Sequence, residues 1–174
     1  MNTKSHTFHK LTSKTNIIFF IMFVLLTFID RITKYAAFYF LADRDIELIP
    51  GVLEFHYLEN RGAAWGILQN QRWLLITITV LVLVFLLVSY FKLPATKRFH
   101  LLRFCLVLLA AGAIGNLIDR LINHYVIDFI YFRLIDFPVF NIADCFVCIS
   151  AVLILYCLLF RYKDEELKLS KEGN

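Results

Sequence analysis

Four long apolar runs alternate with mixed or polar segments along the 174-residue chain. The runs cover about 15–41, 73–91, 101–118 and 142–160, and as helices rising 1.5 Å per residue they span a hydrocarbon core of about 30 Å. The second run is the cleanest, with no charged residue from Trp73 to Phe91. The third carries Ala110, Ala111, Gly112, Ala113 and Gly115, small residues that let helices approach closely in a bilayer. Between the first and second runs, residues 42–72 change to mixed polarity, with Pro50-Gly51 as a turn signal and VLEFHYLEN as a strand-like stretch. The following NRGAAWGIL, Asn60 to Leu68, sets small residues around Trp65, which suits close backbone approach beside an aromatic that favours the membrane interface. A segment this long between two spans predicts an ordered platform lying on the membrane. Residues 1–14 read as a polar, basic, frayed segment and 161–174 as a charged tail.

Composition narrows the class. A chain that is 60% hydrophobic and 18% charged is an integral membrane protein. The expected fold is all-α, a single membrane domain over 1–174 with four transmembrane helices and a small extracytoplasmic platform containing β-structure. Lys4, Lys10 and Lys14 ahead of the first run imitate a secretory signal peptide. That run continues through Phe28 and Ile29 into Asp30, Arg31 and Lys34 without small residues at a cleavage site, so it is expected to be retained. The net charge of +4 does not indicate nucleic acid, because the basic residues lie beside the apolar runs and no base-reading motif is present. With four spans both termini share one side. That side carries ten Lys and Arg, the longer connections 42–72 and 119–141 only five. The positive-inside rule then makes both termini cytoplasmic and sets the platform and the 119–141 connection on the outer face.

The candidate chemistry gathers on that outer side. Asn116, Asp119 and Arg120 stand at i, i+3 and i+4, one face of a helix end, and Asn141 and Asp144 at i and i+3 at the start of the fourth run. Asp128 lies between them in YVIDFIYF, whose apolar neighbours hold it at the interface. Asp30 and Lys34 are spaced to pair on the first helix. Ionisable groups at membrane depth are functional candidates by default, and two shielded carboxylates cannot both ionise cheaply. One keeps a proton and the other does not, which is what an acid–base hydrolase needs. The helix dipole favours Asp144 as the anion, leaving the shared proton nearer Asp128.

Other chemistries lack their signatures. The chain has no Ser-x-x-Lys or Gly-x-Ser-x-Gly, no His-Glu-x-x-His and no Gly-rich phosphate loop. Of five histidines only His56 and His124 fall on the outer side. The four cysteines sit in apolar runs as packing residues, and Cys145-x-x-Cys148 lacks both a zinc set and a thioredoxin-like surround. No metal and no cofactor are expected. Each acid alone also has a plain structural reading: Asp119 with Arg120 as a helix-end pair, Asp136 before Pro138 as a turn former, Asp144 as a cap, Asp30 with Lys34 as an interfacial ion pair. Two competing functions remain open at this point. A small four-helix proton-coupled exporter would put its acids near the midplane, and a non-catalytic assembly subunit would leave the Asp pair idle.

Five stretches taken in order resemble the lipoprotein signal peptidase family, also called signal peptidase II, the bacterial membrane aspartic peptidases. They are D-R-x-x-K at Asp30–Lys34, N-x-G-A-A-W-G at Asn60–Gly66, G-N-L-I-D-R at Gly115–Arg120, V-I-D-F at Val126–Phe129 and F-N-I-A-D at Phe140–Asp144. The resemblance covers about Phe28 to Phe160 and implies removal of the signal peptide from a prolipoprotein, just before a cysteine already carrying diacylglycerol. It implies Asp128 and Asp144 as the catalytic pair. Asn60, Gly62, Asn116, Arg120 and Asn141 would then bind and orient substrate, with Asp30, Lys34 and Asp119 in support. It also implies a prolipoprotein and membrane lipids as partners, and residence in the bacterial inner membrane. Trp65 stands where the family commonly has Phe, and Asp136 lies outside the matching stretches.

Overall fold

A computed structural model describes residues 3–63, 67–94 and 96–162, with side chains from residue 14 onward. Trp65 and the tail beyond residue 162 fall outside the described residues. Four helices dominate: α1 (Thr3–Leu41), α2 (Arg72–Lys92), α3 (His100–Ile122) and α4 (Ile142–Tyr156), the last continued by a π-turn over Cys157–Arg161. Each contains a window long and apolar enough to cross a membrane, over Lys14–Leu41, Arg72–Lys92, Lys97–Ile122 and Ile142–Arg161. Two boundaries differ from the expectation. Helix α1 begins at Thr3, because nothing in 3–14 breaks the helix leading into the span. Helix α3 runs on through Ile122, so Asp119 and Arg120 belong to its last turn.

Helix α3 is the hub. Half of its apolar window is buried inside the protein, against 6%, 11% and 17% for α1, α2 and α4, whose remaining apolar faces are left for lipid. Its small residues make this possible: a Cβ on Gly112 would lie 2.5 Å from the Ala143 carbonyl oxygen of α4, and one on Gly115 would strike the Asp30 carboxylate of α1. Ala111 and Ala143 are fully buried at the same crossing.

The platform is a three-stranded antiparallel sheet in the order β1 (Ile46–Ile49), β2 (Leu53–Asn60), β3 (Val126–Tyr131). Strand β2 matches the strand-like stretch in the sequence; β1 and β3 are additions. Asn60 pairs with Val126 and Leu58 with Asp128, with an irregularity between Phe55 and Leu58. Strand β3 is covered on both faces. Ile127 and Phe129 pack with Ala37 and Leu41 of α1, while Val126 and Asp128 line a cavity on the other side. After β3 a 3-10 turn over Arg133–Ile135 and a left-handed Asp136 reverse the chain. Phe140 then pairs with Ile130, its amide donating to the Ile130 oxygen at 3.0 Å. That pairing delivers Asn141 and the start of α4 next to Asp128.

Candidate active site

Asn141 joins the two carboxylates. As the N-cap of α4 it forms a capping box with Asp144: the Asp144 amide donates to Asn141 Oδ1 at 3.0 Å and the Asn141 amide to Asp144 Oδ2 at 3.0 Å. With its own oxygen engaged, Asn141 turns Nδ2 outward and donates to Asp128 Oδ1 at 2.6 Å and to Asn116 Oδ1 at 3.2 Å. Asn60 supports Asp128 from the end of β2, donating from Nδ2 to Oδ2 at 2.8 Å, while the Gly62 amide donates to Asn60 Oδ1 at 2.9 Å. Asn60 lies two residues beyond the one paired with Asp128, the diagonal neighbour on the same face of the sheet.

Asn116 supports Asp144 and ties it to a buried ion cluster. Its Nδ2 donates to Asp144 Oδ1 at 2.8 Å, and its Oδ1 accepts from Lys34 Nζ at 2.8 Å. Lys34 is fully buried, and its ammonium also lies 3.1 Å from Asp30 Oδ2 and 2.9 Å from Asp119 Oδ2. An ammonium has three N–H groups and no acceptor, so these three oxygens match it. Arg31 bonds the other Asp119 oxygen, and the Ala143 amide donates to Asp30 Oδ1 at 3.1 Å. Two carboxylates and two cations thus balance in a place where an unpaired charge would cost several kcal/mol. The alternative reading of Asp119 and Arg120 as a helix-end pair does not hold, because adjacent positions on α3 lie about 100° apart, which turns Asp119 to Arg31 and Lys34 of α1 and Arg120 to the platform. Arg120 donates to the Gly62 oxygen at 3.1 Å.

Asp128 and Asp144 open on one cavity of about 340 Å³, lined also by Asn60, Asn116, Arg120 and the segment Phe137–Phe140. This lies within the usual range for ligand sites, about 300–1,000 Å³. Burial, reinforced by the Asp144 charge, pushes Asp128 up from 3.8 to about 7. The geometry can hold one carboxyl protonated beside one ionised, with room for a water and an extended backbone.

Of the residues singled out in the sequence, Asn60, Asn116, Arg120, Asp128 and Asp144 line the cavity, and Asn141 and Gly62 hold its wall. Asp30, Lys34 and Asp119 stand behind it. Asp136 is exposed and accepts from the Tyr131 hydroxyl at 2.6 Å, and neither His56 nor His124 lines the cavity. Arg31 was missed, although the Asp30-Arg31 doublet was its signal. Cys145 and Cys148, read as packing residues, face the cavity as well. Asp45, Glu54 and His56 bring ligand-type atoms together on the β1–β2 hairpin, where Arg133 already pairs with Glu54 and His56 with Asp45.

Comparison with known proteins adds a family to this geometry. A family model described as signal peptidase (SPase) II matches residues 22–160. The lipoprotein signal peptidase of Streptococcus pyogenes serotype M1 is 37% identical over 153 residues, covering 86% of this chain and 95% of the relative. That of Caldanaerobacter subterraneus subsp. tengcongensis is 41% identical over 143 residues, covering 81% and 95%. A bacterial membrane enzyme solved by the in meso method at 2.3 Å resolution superposes with a TM-score of 0.71 at 34% identity, over 84% of this chain and 92% of the other.

Proposed function

The chain belongs to the signal peptidase II family, bacterial multi-pass membrane proteases that remove signal peptides from lipoproteins, and from that premise we propose that it works as an aspartic endopeptidase with Asp128 and Asp144 as its catalytic pair. What carries the reading is the single cavity that the two carboxyls share, bridged by Asn141. Asp144 is the anion and takes a proton from the attacking water. Asp128 is the acid and donates its proton to the scissile carbonyl oxygen as the hydroxyl adds to the carbon. In the collapse of that tetrahedral species the proton held by Asp144 passes to the leaving amine, and the hydroxyl proton returns to Asp128, so both groups end as they began.

The amides of Asn60, Asn116 and Asn141 hold both carboxyls in place, which spares the reaction their reorganisation. Arg120, tethered to the Gly62 carbonyl, orients the substrate backbone beside Ala63. The remaining wall, Phe137 to Phe140 with Val147 and Cys148, is mostly apolar and suits a signal-peptide end and a diacylglyceryl chain arriving through the bilayer, with cleavage just before the lipidated cysteine. Both termini lie in the cytoplasm and the cavity opens at the outer face, by the distribution of positive charge. The exporter reading gives way to family membership in a protease group.

The test is a diacylglyceryl-modified prolipoprotein incubated with the purified protein in lipid, comparing wild type with Asp128→Asn and Asp144→Asn, each shown to be folded by a cooperative thermal melt. Wild type is expected to release the signal peptide, and each variant to lose at least about 10³-fold in rate. Cleavage by either variant at the wild-type rate removes that residue from the pair.

A further inference from the structure

A second cavity, of about 460 Å³, lies at the opposite end of the bundle between α1, α2 and α3. Its walls are apolar, with Phe20, Leu87, Leu106 and Ile114 among them, and its polar atoms come from Asn16 and Tyr90. Both of these residues meet Arg103. The guanidinium donates from Nη1 to Asn16 Oδ1 at 3.1 Å and lies 4.9 Å from the centre of the Tyr90 ring; Nη2 donates to the Leu93 carbonyl at 2.5 Å. Arg103 is only 3% exposed. Its partners among the described residues are all neutral, and its buried Nε has no acceptor. A buried cation is stable when paired with an anion, and Lys34, likewise buried, has two. Among the described residues Arg103 has no counter-charge, and it lies behind Asn16 and Tyr90 at the polar end of the apolar cavity.

We propose that this cavity binds an anionic phospholipid, one acyl chain lying in the apolar cleft and the phosphate held at its polar end beside Asn16 and Tyr90, facing the charge of the Arg103 guanidinium that both residues touch. The surroundings match that charge: Lys14, Lys92 and Lys97 are exposed at the same helix ends, where cations near a bilayer surface attract anionic headgroups. A neutral lipid fills the cleft equally well but leaves Arg103 uncompensated. A transmembrane helix from a partner fills it without supplying the phosphate. The site is separate from the cavity that holds Asp128 and Asp144, so its occupancy does not depend on the catalytic reading.

The experiment is native mass spectrometry of the full chain released from neutral detergent after equilibration with equimolar phosphatidylglycerol and phosphatidylcholine of identical acyl chains. Wild type is expected to retain one phosphatidylglycerol with about ten-fold preference, the scale of a modest buried charge pair. Arg103→Met is expected to bring the preference to near parity, while Arg103→Lys keeps most of it. Ala110→Trp, which fills the cleft without touching Arg103's charge, is expected to lose the retained lipid. Signal-peptide release by each variant shows that it is folded; if Arg103→Met does not fold, Arg103→Lys and Ala110→Trp still decide the matter. A wild type that keeps no lipid, an unchanged preference in Arg103→Met, or an unchanged lipid in Ala110→Trp overturns the site. So does a photoreactive group at Leu87 that captures a protein chain instead of a lipid.

Discussion

Three asparagines hold the carboxyl pair, and each has its amide orientation fixed from behind. The backbone N–H of Gly62 claims the Asn60 oxygen, that of Asp144 claims the Asn141 oxygen, and the Lys34 ammonium claims the Asn116 oxygen. None of these donors can accept, so every amide must turn its NH₂ toward Asp128 or Asp144. Lys34 is then a positioning residue acting through Asn116. Lys34→Met keeps the stem and removes the donor, and it is expected to lower the rate about 10²-fold through kcat, as misplacement near a reacting centre does, with KM little changed. The same variant leaves Asp30 and Asp119 short of a cation, which costs about 3–5 kcal/mol and shows as a lower Tm in detergent. A loss seen only in KM would remove Lys34 from this role.

Asp128 gives the pH dependence. Its folded value of about 7 stands above the unfolded 3.8, so between those values the native state holds a proton that the unfolded chain has released. Stability therefore falls as pH rises from about 4 to about 7 and is level beyond. Asp128→Asn, which has no proton to lose, is expected to flatten that slope in thermal melts. The hydrolysis rate of wild type is expected to fall as pH passes upward through about 7, when the acid of the pair is lost. A rate that keeps rising to pH 9 removes Asp128 as the proton donor.

At the level of elements, two glycines set how near α3 comes to its neighbours. Gly115→Ala drives a methyl into the Asp30 carboxylate, and Gly112→Ala drives one against the Ala143 carbonyl. Overpacking of this kind costs about 1–3 kcal/mol. Gly115→Ala is expected to lose activity as well, because Asp30 helps hold both Lys34 and the first turn of α4. Gly51→Ala makes a control: a Cβ there meets nothing within 4 Å, but the backbone sits at φ +71. A left-handed alanine costs about 1–2 kcal/mol, so its Tm is expected to fall while the rate per folded molecule stays at the wild-type level. Equal activity in Gly115→Ala and Gly51→Ala breaks the link between the α1–α3 crossing and the site.

For the whole molecule, the testable property is its direction across the membrane. In a chain whose four cysteines are replaced by serine or alanine, Arg133→Cys on the outer connection is expected to react with an impermeant maleimide from outside intact spheroplasts. Lys14→Cys is expected to react only after permeabilisation. The reverse pattern inverts the proposed topology and puts the cavity at the cytoplasmic face.

The chain by itself determined its four spans, because a helix that crosses a bilayer must satisfy its backbone internally and expose apolar side chains all round, and both demands are written in consecutive residues. It also determined the family, through motifs whose residues lie next to one another. Strand β3 was not legible in the same way. VIDFIY shows no alternation of polar and apolar residues, since Ile127 and Phe129 are buried on α1 and Val126 and Asp128 on the cavity, so the period of two has no contrast to reveal it. The pairing of Asp119 was hidden too: spacing along α3 sets it beside Arg120, but the direction of its side chain is decided by Lys34 and Arg31, 85 or more residues away. The tertiary structure alone decided which amide faces which carboxyl. Those contacts join α1, β2, α3, β3 and α4, and hydrogen bonds between elements distant in sequence are fixed only when packing brings donor and acceptor within 3 Å or so of each other.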